Sequence, residues 1–179
     1  HHTADWMEKA HGNGTEFLNI GPIRDDIDSQ INSRWQPIRP GTDVALMLAC
    51  IHTLLVQRRI DDDFVNSYVH GWERFAAYVL GDTDGLPKSA AWASGITGIE
   101  TDTIKNLADE MSRRRTLINV GLSVQRADHG EQSYWTATAL ACALGQIGLP
   151  GGGIAFPFGA QGNVGAGQVR KRVPGIPIP

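Results

Sequence analysis

Apolar positions along this chain fall into short runs that switch between a period of two and a period near 3.6, which predicts alternating strands and helices. Trp6, Met7 and Ala10 mark the end of a helix within residues 3–10, closed by the turn Gly12-Asn13-Gly14. EFLNI, Glu16 to Ile20, reads as a short buried strand stopped at Gly21-Pro22. Residues 24–32 are polar and loosely helical. Trp35 and QPIRP follow as a brief extended stretch, and Pro37 and Pro40 argue against a central strand there.

Gly41-Thr42-Asp43 opens a stronger signal, because VALMLACIHTLLV follows with almost no polar interruption. A helix apolar nearly all round must be buried, and Thr42 or Asp43 is its expected N-cap. Residues 61–80 read as two short helices split at Gly71, the second carrying Trp72, Phe75, Ala76 and Val79 at helical spacing. GDTDGLP is a break, and residues 88–95 form a short helix with Trp92 inward. Residues 102–113 make an amphipathic helix through Ile104, Leu107, Ala108 and Met111. The triplet Arg113–Arg115 suits the negative end of that helix and a solvated surface.

TLINVGL, residues 116–122, is the second strand. The polar loop SVQRADHGEQ leads from it to a buried helix from Ser133 to about Ile147, ended by LPGGG. The expected organisation is an α/β domain over residues 1–153 with a mostly parallel sheet flanked by helices. Residues 154–179, rich in Gly and Pro, form an irregular tail leading into a further domain.

Composition adds exclusions more than assignments. With 16 basic and 19 acidic residues and a net charge of −3, nucleic acid is not an expected partner. No apolar run approaches the roughly 20 residues of a membrane helix, so no membrane insertion is expected. Cys50 and Cys142 lie in apolar helical runs and read as buried thiols, with no spacing that suggests a metal site. The chain begins His1-His2 without methionine and ends VPGIPIP, which reads as a piece of a longer protein.

Candidate chemistry gathers where ligands collect in parallel sheets, at the carboxyl ends of strands. Ile20, Gly21, Pro22 and Arg24 form a strand-end loop in which Gly21 admits close approach and Arg24 reaches for a phosphate or sugar. A plain turn is the alternative. In Gly41-Thr42-Asp43 the Asp43 carboxylate either caps the helix or offers two adjacent acceptors to N1–H and the exocyclic amine of a guanine. The third loop sets Ser123, Gln125, Arg126, His129, Glu131 and Gln132 within ten residues, denser in donors and acceptors than a solvated loop needs. No nucleophile or metal partner accompanies His129, so these loops read as binding rather than catalytic elements. Their placement suggests one shared cleft. Neither GxGxxG nor a Walker loop occurs.

The stretches RPGTDVALMLACIHTL, FAAYVLGDTDGLPKSAAWASGITGI and GLSVQRADHGEQSYW…LGQIGLPGGG, in this order, resemble the dimethyl sulfoxide reductase family of molybdopterin oxidoreductases. The similarity runs from about Phe17 to Gly153 and points to the trimethylamine N-oxide, dimethyl sulfoxide and biotin sulfoxide reductase branch. It implies a Rossmann-like domain within a larger enzyme that carries bis(molybdopterin guanine dinucleotide) with molybdenum or tungsten. It further implies a small S-oxide or N-oxide substrate and an electron-donor protein. By position, Gly41, Thr42 and Asp43 match the guanine-side motif, and Ile20–Arg24 (with Gly21 and Pro22) match the strand-end loop. Leu122, Ser123, Gln125 and Arg126 match the loop bordering the pterin and substrate funnel. The chain departs from the family pattern at Gly21, where many relatives carry Asp or Asn, and at Leu122, where many carry an aromatic residue. The family's serine metal ligand would lie before His1. Relatives occur on both sides of the inner membrane, so the compartment is left unknown, a periplasmic setting being favoured and the cytoplasm the alternative. Competing readings are the nucleotide-binding domain of a thiamine-diphosphate enzyme, which would not carry HGEQ…LGQIGLPGGG, and a non-catalytic nucleotide-binding module.

Overall fold

The most apolar segment of the sequence becomes the centre of the structure. The computed structural model describes residues 2–27 and 29–156. In it α2, Asp43–Val56, buries Ala45, Leu46, Leu48, Ala49, Cys50, Ile51, Thr53 and Leu54. Its neighbours are α4, Trp72–Leu80, α5, Ala90–Thr97, α6, Thr101–Arg113, and α7, Glu131–Ala143. Removing each of its large aliphatic side chains from water contributes roughly 1.5–3 kcal/mol, so this helix anchors the core. The one buried polar side chain in α2 is satisfied within the helix: Thr53 Oγ1 donates to Ala49 O at 2.8 Å. The remaining helices are α1, His2–Gly12, and α3, Asp62–Tyr68.

Among the described residues, four short strands complete the α/β arrangement. β1, Leu18–Ile20, pairs in parallel with β2, Arg34–Gln36, in the register Ile20 to Gln36. β3, Leu117–Asn119, pairs in parallel with β4, Gly153–Ala155, in the register Asn119 to Ala155. The expected single sheet is therefore described as two separate two-stranded pairs. β1 and β3 are shorter than their sequence runs, and β2 is centred on Trp35 and does not extend through QPIRP. Arg34 N donates to Phe17 O beyond the ladder, whereas Leu122, expected to end the second strand, opens a 3-10 turn over Leu122–Arg126. Ile154 and Ala155, expected in the irregular tail, belong to β4; the rest of that tail, from Pro157 onward, lies outside the described residues.

A buried glutamine ties these layers together. Gln146, 8% exposed, accepts from Thr116 N at 2.6 Å through Oε1, and its Nε2 donates to Arg114 O at 2.8 Å and Met111 O at 3.4 Å. One amide thus closes the C-terminal turn of α6 and fixes the entry to β3. α7, expected from Ser133 to about Ile147, spans Glu131–Ala143 and is ended at Gly145, whose left-handed φ of +64° lets Gln146 N donate back to Ala141 O at 3.4 Å.

Charged residues brace the outside. Arg34 forms a bidentate pair with Glu110 at 2.8 and 2.9 Å, and Arg114 meets Glu16 at 2.7 Å. Arg113 pairs with Asp109 at 3.0 Å, and Arg115 donates to Pro150 O at 3.0 Å. The arginine triplet is exposed, as a solvated surface requires, while Arg114 and Arg115 also reach Glu16 and the Pro150 carbonyl. Lys88 is buried, with its ammonium 2.6 Å from Asp84 Oδ2 and 4.4 Å from the centre of the Tyr78 ring. Burial pushes the Cys50 thiol up to about 12, which makes it an inert core group; Cys142 is only half-buried, and its thiol is also raised by burial.

Replacing Gln146 with Leu should strand the Thr116 N–H and the Arg114 carbonyl, costing about 2–4 kcal/mol in urea unfolding. A midpoint within error of the parent would show that the bridge is dispensable. The Arg114 guanidinium beside Glu16 holds that carboxyl below the ordinary glutamate range. Stability from the pair is therefore present at neutral pH and is lost as pH falls through the lowered value. Arg114→Gln should accordingly lower the urea midpoint at pH 7 and have little effect near pH 3; an equal loss at both would exclude the pair as its source.

Candidate functional site

The parallel register of β1 and β2 sends both chains out of the same end of their sheet, since Ile20 faces Gln36 and Gly21 N still donates to Gln36 O at 3.2 Å. The loop Gly21–Arg24 and the segment leading to Gly41–Asp43 therefore spring from a common edge. The loop Leu122–Arg126 leaves the corresponding end of the other pair, just beyond β3. Among the described residues no hydrogen bond or ion pair joins this third loop to the first two.

Each loop is held by a different fixture. In the first, Asn19 Nδ2 donates to Ile23 O at 3.3 Å and to Arg24 O at 3.4 Å, while Trp35 Nε1 donates to Gly21 O at 3.0 Å. Ile20 is half-buried and packs against the core, and Gly21 is buried; Pro22 and Arg24 are exposed. The segment reads as a turn whose backbone is pinned and whose arginine is presented outward.

The second loop depends on Arg39, which no local pattern singles out. Arg39 Nη1 donates to Gly95 O at 2.7 Å and Ile96 O at 3.1 Å, and its own N–H donates to Thr97 O at 3.0 Å. It thereby satisfies carbonyls at the C-terminus of α5, where a cation is favoured by the helix dipole. Gly41 takes a left-handed conformation, φ +74°, and no atom lies within 4 Å of where a Cβ would stand, so the turn before α2 faces open space.

The expected N-cap is corrected here. Thr42 occupies the cap position, but no side chain caps the helix. The Thr42 hydroxyl donates instead to Arg39 O at 2.6 Å, and Asp43 is already the first helical residue. Asp43 is half-buried, and among the described residues its carboxylate has no hydrogen-bond or ion-pair partner. Two acceptor oxygens thus stand unspent at the positive end of a buried helix.

The third loop is a 3-10 turn packed onto the start of α7. Gly130 makes that packing possible, because a Cβ there would overlap the carbonyl oxygens of Val124 and Gln125. Tyr134 Oη, one turn into α7, donates to Gly121 O at 3.1 Å. Leu122, Ser123, Gln125 and Arg126 are all exposed, and the polar three have no hydrogen-bond partner for their side chains among the described residues. His129, φ +54°, lies 3.7 Å from Asp128 and is largely open to water, with no second ionisable partner beside it.

Taken together, two exposed arginines, one half-buried carboxylate, two polar side chains and an open glycine turn make a set of donors and acceptors without internal partners. Chemically, that set suits an anionic ligand with a hydrogen-bonding base. A separate shallow hollow, lined by Val69, His70, Trp72, Phe75, Trp135 and Cys142, is apolar and shares no residue with these loops.

The comparisons with known proteins fall on the same stretch. The family model described as molybdopterin oxidoreductase matches residues 2–172. A biotin sulfoxide reductase from Cereibacter sphaeroides is 41% identical over 93% of this chain and 22% of its own length. A trimethylamine-N-oxide reductase from Haemophilus influenzae is 41% identical over 86% of this chain and 19% of its own length. Trimethylamine-N-oxide reductase 1 from Escherichia coli is 49% identical over 70% of this chain and 15% of its own length. The chain thus spans about a fifth of the length of such relatives. Among solved structures, the acetylene hydratase from Pelobacter acetylenicus superposes with a TM-score of 0.68 over 78% of this chain and 18% of that one, at 20% identity, which speaks to the fold alone. By its sequence, this chain belongs to the molybdopterin oxidoreductase family.

Proposed function

We propose that this chain is the part of a molybdopterin oxidoreductase that grips the guanosine and pyrophosphate end of a bis(molybdopterin guanine dinucleotide) cofactor. The enzyme would reduce a small S-oxide or N-oxide. The observation that carries this reading is the Asp43 carboxylate, free of any capping role and set beside the open turn at Gly41. Its paired acceptors match the N1–H and exocyclic amine of guanine, and adenine offers no such pair.

The residues present fit the group. Arg24 and Arg126 are exposed and supply guanidinium groups for phosphate oxygens. Gly21, Pro22 and Gly41 shape turns that a nucleotide can approach closely, with Ile20 and Thr42 anchoring them from the core side and the Arg39 carbonyl. Ser123 and Gln125 offer further donors, and Leu122 an apolar wall. When bound, the cofactor's molybdenum or tungsten supplies the oxygen-atom transfer. This chain's residues bind, orient and keep the nucleotide end fixed while that chemistry proceeds.

The three loops then serve one cleft, and the two parallel strand pairs are parts of a Rossmann-like sheet. The names of the relatives, which reduce trimethylamine N-oxide, dimethyl sulfoxide or biotin sulfoxide, support the substrate class. Metal ligation, the remaining domains and an electron-donor protein come from outside these residues, and a periplasmic setting is the favoured one. No helix among the described residues is long and apolar enough to cross a membrane.

Asp43→Ala in the full-length enzyme should reduce the guanine nucleotide released per chain on acid hydrolysis by about tenfold, the order of effect of losing a charged hydrogen-bond pair. Undiminished guanine and metal content in that variant would remove the assignment.

A further inference from the structure

Two strand ends in this molecule are finished in the same way. At each, the first glycine carbonyl past the strand leaves the ladder and needs a partner. Gly21 O takes it from Trp35 Nε1 at 3.0 Å, and Gly121 O from Tyr134 Oη at 3.1 Å. In both cases the donor sits on a rigid ring 14 and 13 residues further along the chain, on the next regular element. The Tyr134 ring is itself braced by Phe156, with centroids 5.5 Å apart, directly after β4.

Arg24, Ser123, Gln125 and Arg126 have no side-chain hydrogen bond among the described residues, so only the backbone beneath sets where their side chains begin. That backbone is fixed at the glycine carbonyls and, in the first loop, also by Asn19 at the Ile23 and Arg24 carbonyls. We infer that Trp35 and Tyr134 are positioning residues, which hold the Gly21–Arg24 and Gly121–Arg126 loops in register for the ligand through the carbonyls of Gly21 and Gly121. This inference rests on the proposed role of those loops in nucleotide binding. Neither ring need touch the ligand. A phenol or indole donor has few rotatable bonds, so it locks a carbonyl more firmly than a long polar side chain would. Gly130 completes the second clamp from below, since any side chain there would push the Val124 and Gln125 carbonyls away.

The test uses the full-length, cofactor-loaded enzyme carrying Tyr134→Phe, which removes one oxygen and keeps the ring, and separately Trp35→Phe. Hydrogen exchange is measured over residues 21–24 and 121–126, together with guanine nucleotide retained per chain after gel filtration and the separate effects on kcat and KM. The expected result is exchange roughly threefold to tenfold faster in the adjoining loop only, the span of one hydrogen bond, accompanied by lower nucleotide retention. Unchanged exchange in the loop would overturn the positioning role whatever the ligand is. Exchange accelerated throughout the chain would reduce the two rings to general structural supports and overturn it equally. Faster loop exchange with full nucleotide retention would show instead that the loops move freely without affecting the ligand, and the proposed nucleotide site would fall with the inference.

Discussion

A helix with apolar residues on nearly every face has one stable solution, which is to be surrounded. α2 meets α4, α5, α6 and α7, and Ala49, Ile51 and Leu54 are wholly shielded from water. Burying its four large aliphatic side chains, Leu46, Leu48, Ile51 and Leu54, contributes about 6–12 kcal/mol, comparable to the net stability of a whole domain, so the other helices are arranged around it. The consequence for function is geometric. Because α2 is immobilised along its length, its first residue is immobilised too, and Asp43 is presented from a fixed post at the edge from which β2 delivers the chain.

The helices were legible because packing and period agree. Ile104, Ala108 and Met111 are buried in α6 as their spacing demands, and the split at Gly71 separates α3 from α4. The strands were harder. Three-residue strands carry too few positions for alternation to set their limits, and β4 hid inside a Gly-rich stretch with no apolar pattern. Features built on distant partners left no local mark. Gln146 reads as part of a long buried helix, yet it lies past the end of α7 and bridges α6 and β3 from a buried position. Lys88 is buried, and its partners Asp84 and the Tyr78 ring lie 4 and 10 residues before it.

The candidate site divides along the same line. The residue types and their position after strands were readable in Gly21–Arg24, Gly41–Asp43 and Leu122–Arg126. The devices that hold those loops were not, because Arg39, Trp35 and Tyr134 act across 13 or more residues. The correction at Thr42 matters most. A local rule made Thr42 or Asp43 a cap; the structure turns the Thr42 hydroxyl toward Arg39 O and leaves the Asp43 carboxylate unspent. Supporting contacts are consumed by the backbone, and the polar side chains that remain face outward without partners. That separation of scaffold from ligand groups is what a site with little rearrangement on binding requires.

The most direct measurement compares hydrogen exchange of the full-length enzyme with and without its cofactor, peptide by peptide. The account requires protection to appear together in three places: residues 20–24, 41–43 and 122–126. Protection confined to other segments, or present at Gly41–Asp43 but absent from the other two loops, would contradict a shared cleft for the nucleotide.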